Sequence, residues 1–164
     1  MKKLLIFFLL VCATTFGQKK LDKLLNKWNK RNVPYMSVET LALPKTDAIL
    51  LDAREQKEFE VSHLKNAICV GYDKFKLKET LKKLPEDKNA KIVVYCSLGI
   101  RSETVAHKLI QAGYTNVFNL YGGIFEWKNA NFKVVDTLGN STEKIHTFSK
   151  DWGKWLKKGK KVYE

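Results

Sequence analysis

Cys96, Gly99, Arg101 and Ser102 lie close together in the stretch Lys91-Ile92-Val93-Val94-Tyr95-Cys96-Ser97-Leu98-Gly99-Ile100-Arg101-Ser102. A thiol, a tight turn with glycine, a guanidinium and a hydroxyl make a combination that can stabilise a sulfur anion. The thiolate is the nucleophilic form of cysteine. Arginine supplies a permanent charge on a rigid donor fork. Successive amides in a turn can curl into a nest for an anion. The same surroundings would favour an anionic group built on the sulfur. The competing reading is a buried cysteine closing a core strand, with Arg101 in an ordinary surface ion pair.

The elements around this stretch decide how it is presented. Ile92 to Tyr95 is an apolar, β-branched run, the pattern of a buried strand. From Ser102 the period changes: Val105 with Leu109, and Ala106 with Ile110, form two i,i+4 pairs on one helix face, which stops at Gly113. The order is strand, cradle, helix. The thiol then sits where the strand's carboxyl end meets the helix's positive end.

Ala48 to Asp52 is a second buried strand, and it ends in Asp52-Ala53-Arg54. An aspartate at that end of a parallel strand lies at the mouth of an α/β sheet, where sites form. Glu55 to Val61 reads as a short helix, Ala67 to Val70 as a strand and Leu77 to Leu84 as a helix. Asn116 to Leu120 is a last strand, and Gly122-Gly123 opens a short helix with Phe125 and Trp127. Ser37 is an N-cap whose helix runs through Leu43. Alternating strands and helices imply an open, mostly parallel sheet with helices on both faces.

The set Asp52-Ala53-Arg54, Glu58-Phe59, Ser62-His63-Leu64-Lys65-Asn66-Ala67, Cys96-x-x-Gly99-x-Arg101-Ser102 and Gly122-Gly123 with Trp127 resembles a single-domain rhodanese. The resemblance covers residues 36 to 135. It implies a five-stranded α/β sheet and sulfurtransferase chemistry, with Cys96 cycling through a persulfide. It assigns Cys96 and Arg101 to catalysis. Ser97, Leu98, Gly99, Ile100 and Ser102 become the substrate-binding loop, and Asp52 and Arg54 support it. Sulfurtransferase-like members of this fold place four residues between Cys and Arg, and phosphatase-like members place five. Here Ser97 to Ile100 make four. Ser62 stands where the family usually has Gly. Ser97 and Leu98 replace basic residues of thiosulfate-using members, which points away from thiosulfate as the donor. A rhodanese-like module that binds partners or senses redox state is the alternative function.

The partners implied are a small sulfane-sulfur donor and a thiol or other thiophilic acceptor. No cofactor and no metal is required, and no general base if the thiol is already ionised. His107 shares a helix face with Glu103 and Gln111 and reads as solvated. His63 belongs to the structural motif. His146, in the tail, is the histidine with a route to the cleft.

The chain's 164 residues leave room for one domain of ordinary size, and its formal charge is +13. Residues 1–17 read as a secretory signal peptide: Lys2 and Lys3 precede an apolar run from Leu4 to Ala13, with Thr15 and Gly17 before a cut at Gln18. Export to a bacterial-type periplasm follows, with a lipoprotein anchored at Cys12 as the lesser alternative. Cys69 and Cys96 would then share an oxidising compartment, where two thiols can pair. Residues 18–35 form a helical extension whose Leu21, Leu24, Leu25 and Trp28 make an amphipathic stripe. Residues 136–164 form a basic arm. From Ser141 it holds seven lysines against three acids, with Phe148, Trp152, Trp155 and Leu156 at roughly helical spacing. Its aromatics either pack on the domain or face an anionic membrane or an acidic protein. Nucleic acid is not expected.

Overall fold

A computed structural model describes residues 19–163. The signal peptide expected over residues 1–17, and Cys12 within it, lie outside the described residues. The chain divides into two compact units between Arg31 and Asn32.

In the first unit, residues 19–28 are helical (α1). Leu21 and Leu25, one turn apart, are buried, whereas Trp28 is 63% exposed. The expected stripe therefore ends at Leu25. Arg31 folds back on the helix, donating to Asn26 Oδ1 at 2.8 Å.

The second unit contains β1 (Tyr35–Met36), α2 (Val38–Leu41), β2 (Ile49–Asp52), α3 (Gln56–Val61), β3 (Ile68–Cys69) and α4 (Leu77–Leu81). After these come β4 (Ile92–Tyr95), α5 (Arg101–Gln111), β5 (Val117–Leu120) and α6 (Gly123–Asn129). The arm adds β6 (Val134–Val135), β7 (Ser141–Thr142), β8 (Lys144–His146), α7 (Lys150–Gly153) and β9 (Lys160–Val162).

Five strands form one sheet in the order β1-β5-β4-β2-β3, and every pair in it is parallel. All four residues of β4 are buried. Ile92 and Val94 join Leu51, Val105, Ala106, Leu109 and Val117 in one core cluster. Val93 and Tyr95 point the other way and are equally buried, so both faces of the sheet are covered.

The order of the strands fixes where the site lies. The chain leaves β2 outward to β3, then returns to the opposite side of β2 as β4. The carboxyl ends of β2 and β4 flank this reversal, the usual position of a crevice in open α/β sheets. The register sets Asp52 beside Tyr95, so the β2 and β4 loops leave the sheet together.

Several elements differ from expectation. α2 ends at Leu41 and α4 at Leu81, each shorter than the sequence suggests. β1 was not expected. It is two residues long, shows no period, and exists through its pairing with β5. The arm forms no long helix, in keeping with Gly153 and Gly159 interrupting it, but its strands were not expected. Phe148 has φ +63°, which breaks the helical run, and only Lys150–Gly153 is helical. β8 and β9 instead form a small parallel pair, and β6 and β7 an antiparallel one.

Candidate active site

Cys96 directly follows β4 and is fully buried. The loop behind it is held by α6: Ile124 N–H donates to the Cys96 carbonyl at 2.9 Å, and Phe125 N–H to the Ser97 carbonyl at 3.2 Å. These first-turn amides have no partner within the helix, so the loop carbonyls satisfy them. The approach requires Gly123. Its φ is +55°, and an added Cβ would lie 2.2 Å from the Cys96 carbonyl oxygen.

On the inner side, Gly99 N–H donates to Cys96 Sγ at 3.1 Å, and Ser102 Oγ lies 3.5 Å from it. Ser102 has one hydroxyl proton, and it goes to the closer Asn119 Oδ1 at 2.7 Å. Asn119 Nδ2 in turn donates to the Gly99 carbonyl at 2.8 Å. One buried amide on β5 thus ties both ends of the cradle. Gly99 itself has φ +97°, the left-handed geometry that turns its N–H toward the sulfur.

Arg101 was expected to hold the sulfur. Its fork is directed elsewhere. Nη1 donates to Glu58 Oε2 at 2.6 Å, and Nη2 to Glu58 Oε1 at 2.8 Å and Ser97 Oγ at 3.0 Å. The geometry is bidentate, the strongest form of such a pair. A buried guanidinium with a carboxylate in reach takes that partner, because either charge alone would be costly to bury. Burial opposes the charge on Arg101, but Glu58 and the nearby Cys96 more than offset it and raise its pKa. Burial alone would raise the Glu58 carboxyl; the Arg101 hydrogen bonds and charge hold it below its ordinary range. Glu58 Oε2 also accepts from Glu55 N–H at 3.0 Å, half of the capping box that starts α3.

Asp52 and Arg54 form a second buried pair, with Arg54 Nη2 2.6 Å from Asp52 Oδ2 and 2.6 Å from the Ser62 carbonyl. They fasten the turn after α3 to the end of β2. Their support of the loop runs through neighbouring backbone: Ala53 N–H donates to the Tyr95 carbonyl at 2.8 Å, one residue before Cys96.

Of the remaining loop residues, Ser97 and Leu98 are buried and Ile100 is half-buried. Leu98 therefore fills the interior instead of lining an open surface. His107, expected in solvent, is half-buried with Nδ1 enclosed and unpaired. His63 stacks on Phe59 at 3.8 Å between ring centres. Cys69 and Cys96 are both free thiols. Cys69 pairs with Asp52, which pairs with Tyr95, so two strand steps separate it from β4. At about 4.8 Å per step that exceeds the reach of a disulfide.

The arm meets this site. His146 Nδ1 is 4.0 Å from Glu58 Oε1, and it accepts from Phe148 N–H at 3.1 Å. Burial, with Lys57, Arg54 and Arg101 nearby, holds the His146 pKa low despite Glu58. The Arg101 guanidinium carbon lies 5.0 Å from the Phe148 ring and 6.0 Å from the Trp152 ring.

Sequence reasoning gave no site role to Glu58, Asn119, Phe148 or Trp152. Asn119 carried a signal, a polar residue inside the apolar run Val117–Leu120. Glu58 carried none beyond its place in a quoted motif. Among the described residues no cluster of three or more His, Cys, Asp or Glu could hold a metal ion.

A cysteine-headed loop joining the central strand of a parallel sheet to a helix, at the sheet's reversal point, defines an α/β protein with sulfur at its focus. The family model for the Rhodanese-like domain matches residues 38–130, more than half of the chain, and the chain belongs to that family. The tRNA uridine(34) hydroxylase of Hamiltonella defensa subsp. Acyrthosiphon pisum is 43% identical over 83 residues, which are 49% of this chain and 23% of that protein. The enzyme of the same name from Yersinia enterocolitica is 40% identical over 83 residues, 49% of this chain and 24% of that protein. The matched region is thus about a quarter of these relatives. Among solved structures, a rhodanese-related protein from Thermoplasma volcanium is similar with a TM-score of 0.54 and 28% identity, covering 62% of this chain and 97% of that one. A thiosulfate sulfurtransferase from Pseudomonas aeruginosa shares the fold, with a TM-score of 0.57 and 24% identity over 77% of this chain and 24% of that one.

Proposed function

We propose that this chain is a sulfurtransferase that carries a sulfane sulfur on Cys96 as a persulfide. The observation that supports this best is the cradle itself: four residues between Cys96 and Arg101, with the Gly99 amide aimed at Sγ at 3.1 Å.

In the first half-reaction the Cys96 thiolate attacks the sulfane sulfur of a donor, and the donor's sulfur–sulfur bond breaks toward the leaving anion. The persulfide then lies in the cradle, where the Gly99 amide and the α5 N-terminus face its charge. In the second, a thiophilic acceptor attacks the outer sulfur and the Cys96 thiolate leaves. Arg101 and Glu58 act by position. They fix Ser97, and with it the loop's curvature, as a preformed frame.

The activity named for the relatives is hydroxylation by proteins about four times the length of the shared region; sulfur chemistry is supported here by the Rhodanese-like family match and the Cys96 cradle instead. A non-catalytic module would not need Cys96, Gly99 and Arg101 together. A signal peptide over residues 1–17, as the sequence suggests, would send the protein to the periplasm, where loading of Cys96 would also shield its thiol from oxidation.

The test is mass spectrometry of protein incubated with several sulfane donors, followed by cyanide. Loading adds about 32 Da, and cyanide removes it as thiocyanate. Cys96→Ser abolishes both. Loading retained in Cys96→Ser, or phosphoryl hydrolysis dependent on Cys96 without thiocyanate, overturns the proposal.

A further inference from the structure

Charges around the cradle cancel in pairs. Arg101 is matched by Glu58, and Arg54 by Asp52, each within 2.6 Å. All four side chains are buried, as is His146. Lys57, which also faces His146 from α3, is exposed to solvent and its charge is screened. Each of these two pairs is neutral before any substrate arrives, and the other buried acid of the first turn of α5, Glu103, accepts from the Tyr35 hydroxyl at 2.7 Å.

The fork of Arg101 is occupied edge-on by Glu58 and Ser97. Its guanidinium carbon sits over the Phe148 and Trp152 rings, which also pack on each other with ring centres 5.2 Å apart. Only 7% of Arg101 is exposed. The cap is tied down. β8 packs against α3, β8 pairs with β9, and Lys128 Nζ holds Glu143 at 2.6 Å. All of the arm lies after the family match, which ends at residue 130.

We propose that Phe148 and Trp152 form an aromatic cap over the Arg101–Glu58 pair, which closes the site to a dianionic donor such as thiosulfate and selects an organic persulfide. This rests on the sulfur-transfer reading. Arg101 Nε and Arg54 Nη1 lack a partner but are enclosed, so a dianion beside the thiolate could reach a cation only by displacing Glu58 from its bidentate pair or the two rings. An organic persulfide brings a carbon stem, which suits an aromatic surface; Phe148 is 51% exposed and offers one. The step balances: the Cys96 thiolate bonds to the outer sulfur of R–S–SH and the S–S bond breaks. R–S⁻ leaves with the electron pair and takes the proton, so R–SH and the Cys96 persulfide anion result with no net oxidation.

The experiment is single-turnover loading of Cys96 by thiosulfate and by cysteine persulfide, in wild type and in Phe148→Ala/Trp152→Ala. The expected wild-type preference for cysteine persulfide is on the order of a hundredfold, the scale of one missing charge-assisted contact. The double variant should narrow that ratio at least tenfold by uncovering Arg101. Equal loading by both donors in wild type, or an unchanged ratio in the variant, overturns the proposal. A second measurement stands apart from chemistry. Thiosulfate is titrated into Cys96→Ser while tryptophan emission is followed, with Trp152→Phe in the same background isolating the Trp152 signal. No Trp152 response sustains the cap; a saturable response overturns it. Absence of loading by every donor would instead refute sulfur transfer, and the emission titration still decides the cap.

Discussion

Replacing Glu58 by Gln keeps the shape of the side chain and one acceptor but removes the charge that Arg101 faces at 2.6 and 2.8 Å. Arg101, 7% exposed, then holds a buried cation without its counter-ion. Breaking one side of such a pair costs about 3–5 kcal/mol, and the retained amide oxygen places Glu58→Gln near the lower end. For a domain of ordinary stability that is a large fraction of the total. The assay is urea unfolding, with Arg101→Met and the double variant completing a cycle. Each single variant leaves a buried charge without its counter-ion and the double leaves none, so the double should be less destabilised than the sum by at least about 1 kcal/mol. The pH dependence has a defined sign. The folded-state pKa of Glu58 lies below its ordinary value of 4.5. Its contribution is therefore complete above that value and is lost as pH falls through the lower, folded one. Glu58→Gln should lack this acid-sensitive component. Loss below about 1 kcal/mol, with a cycle that sums to zero, would refute the claim that this pair frames the loop.

Two further outcomes follow from the geometry. Gly123→Ala should cost more than about 2 kcal/mol and lower sulfur loading, because its Cβ meets the Cys96 carbonyl; Gly139→Ala, also at positive φ but with open space around it, should cost about 1 kcal/mol. Equal losses in the two variants by thermal or urea unfolding would remove the close approach as the cause. Burial and the Asp52 charge push the Cys69 thiol up to about 11 from 9.0. Iodoacetamide should then modify Cys69 about a hundredfold more slowly than a free cysteine peptide at pH 7.5, and faster labelling in Cys96→Ser would show that Cys69 is not so enclosed.

The cradle was legible because its signals are local. A β-branched run, a glycine turn and a change of period all fall between Lys91 and Ile110. The sheet followed from the same kind of signal at Ile49–Asp52 and Val117–Leu120. What escaped depends on partners far along the chain. Glu58 reads as one more acid on a charged helix, and its role appears only when folding brings it to Arg101, 43 positions away. β1 has too few residues to show a period and is defined by Asn119 and Leu120 across from it. In the arm, Gly153 and Gly159 already argued against a long helix despite the aromatic spacing, but nothing local announced the positive φ at Phe148 or the β8–β9 pairing. The same bend aims the rings at Arg101. Trp28 misled in the other direction, since position on a helical stripe does not require burial.

The pairing of β9 with β8 makes the cap vulnerable at a distance. Val162 accepts from Thr147 N–H at 2.8 Å, between His146 and Phe148. The turn that leads into β9, Lys157-Lys158-Gly159, and the strand's first residues, Lys160 and Lys161, are exposed. A lysine-cleaving protease that nicked this turn would leave the nucleophile, its cradle and its ion pairs covalently untouched. It would nonetheless loosen the strap that keeps two rings seated, and with the proposed aromatic cap it would broaden donor choice by a single scission.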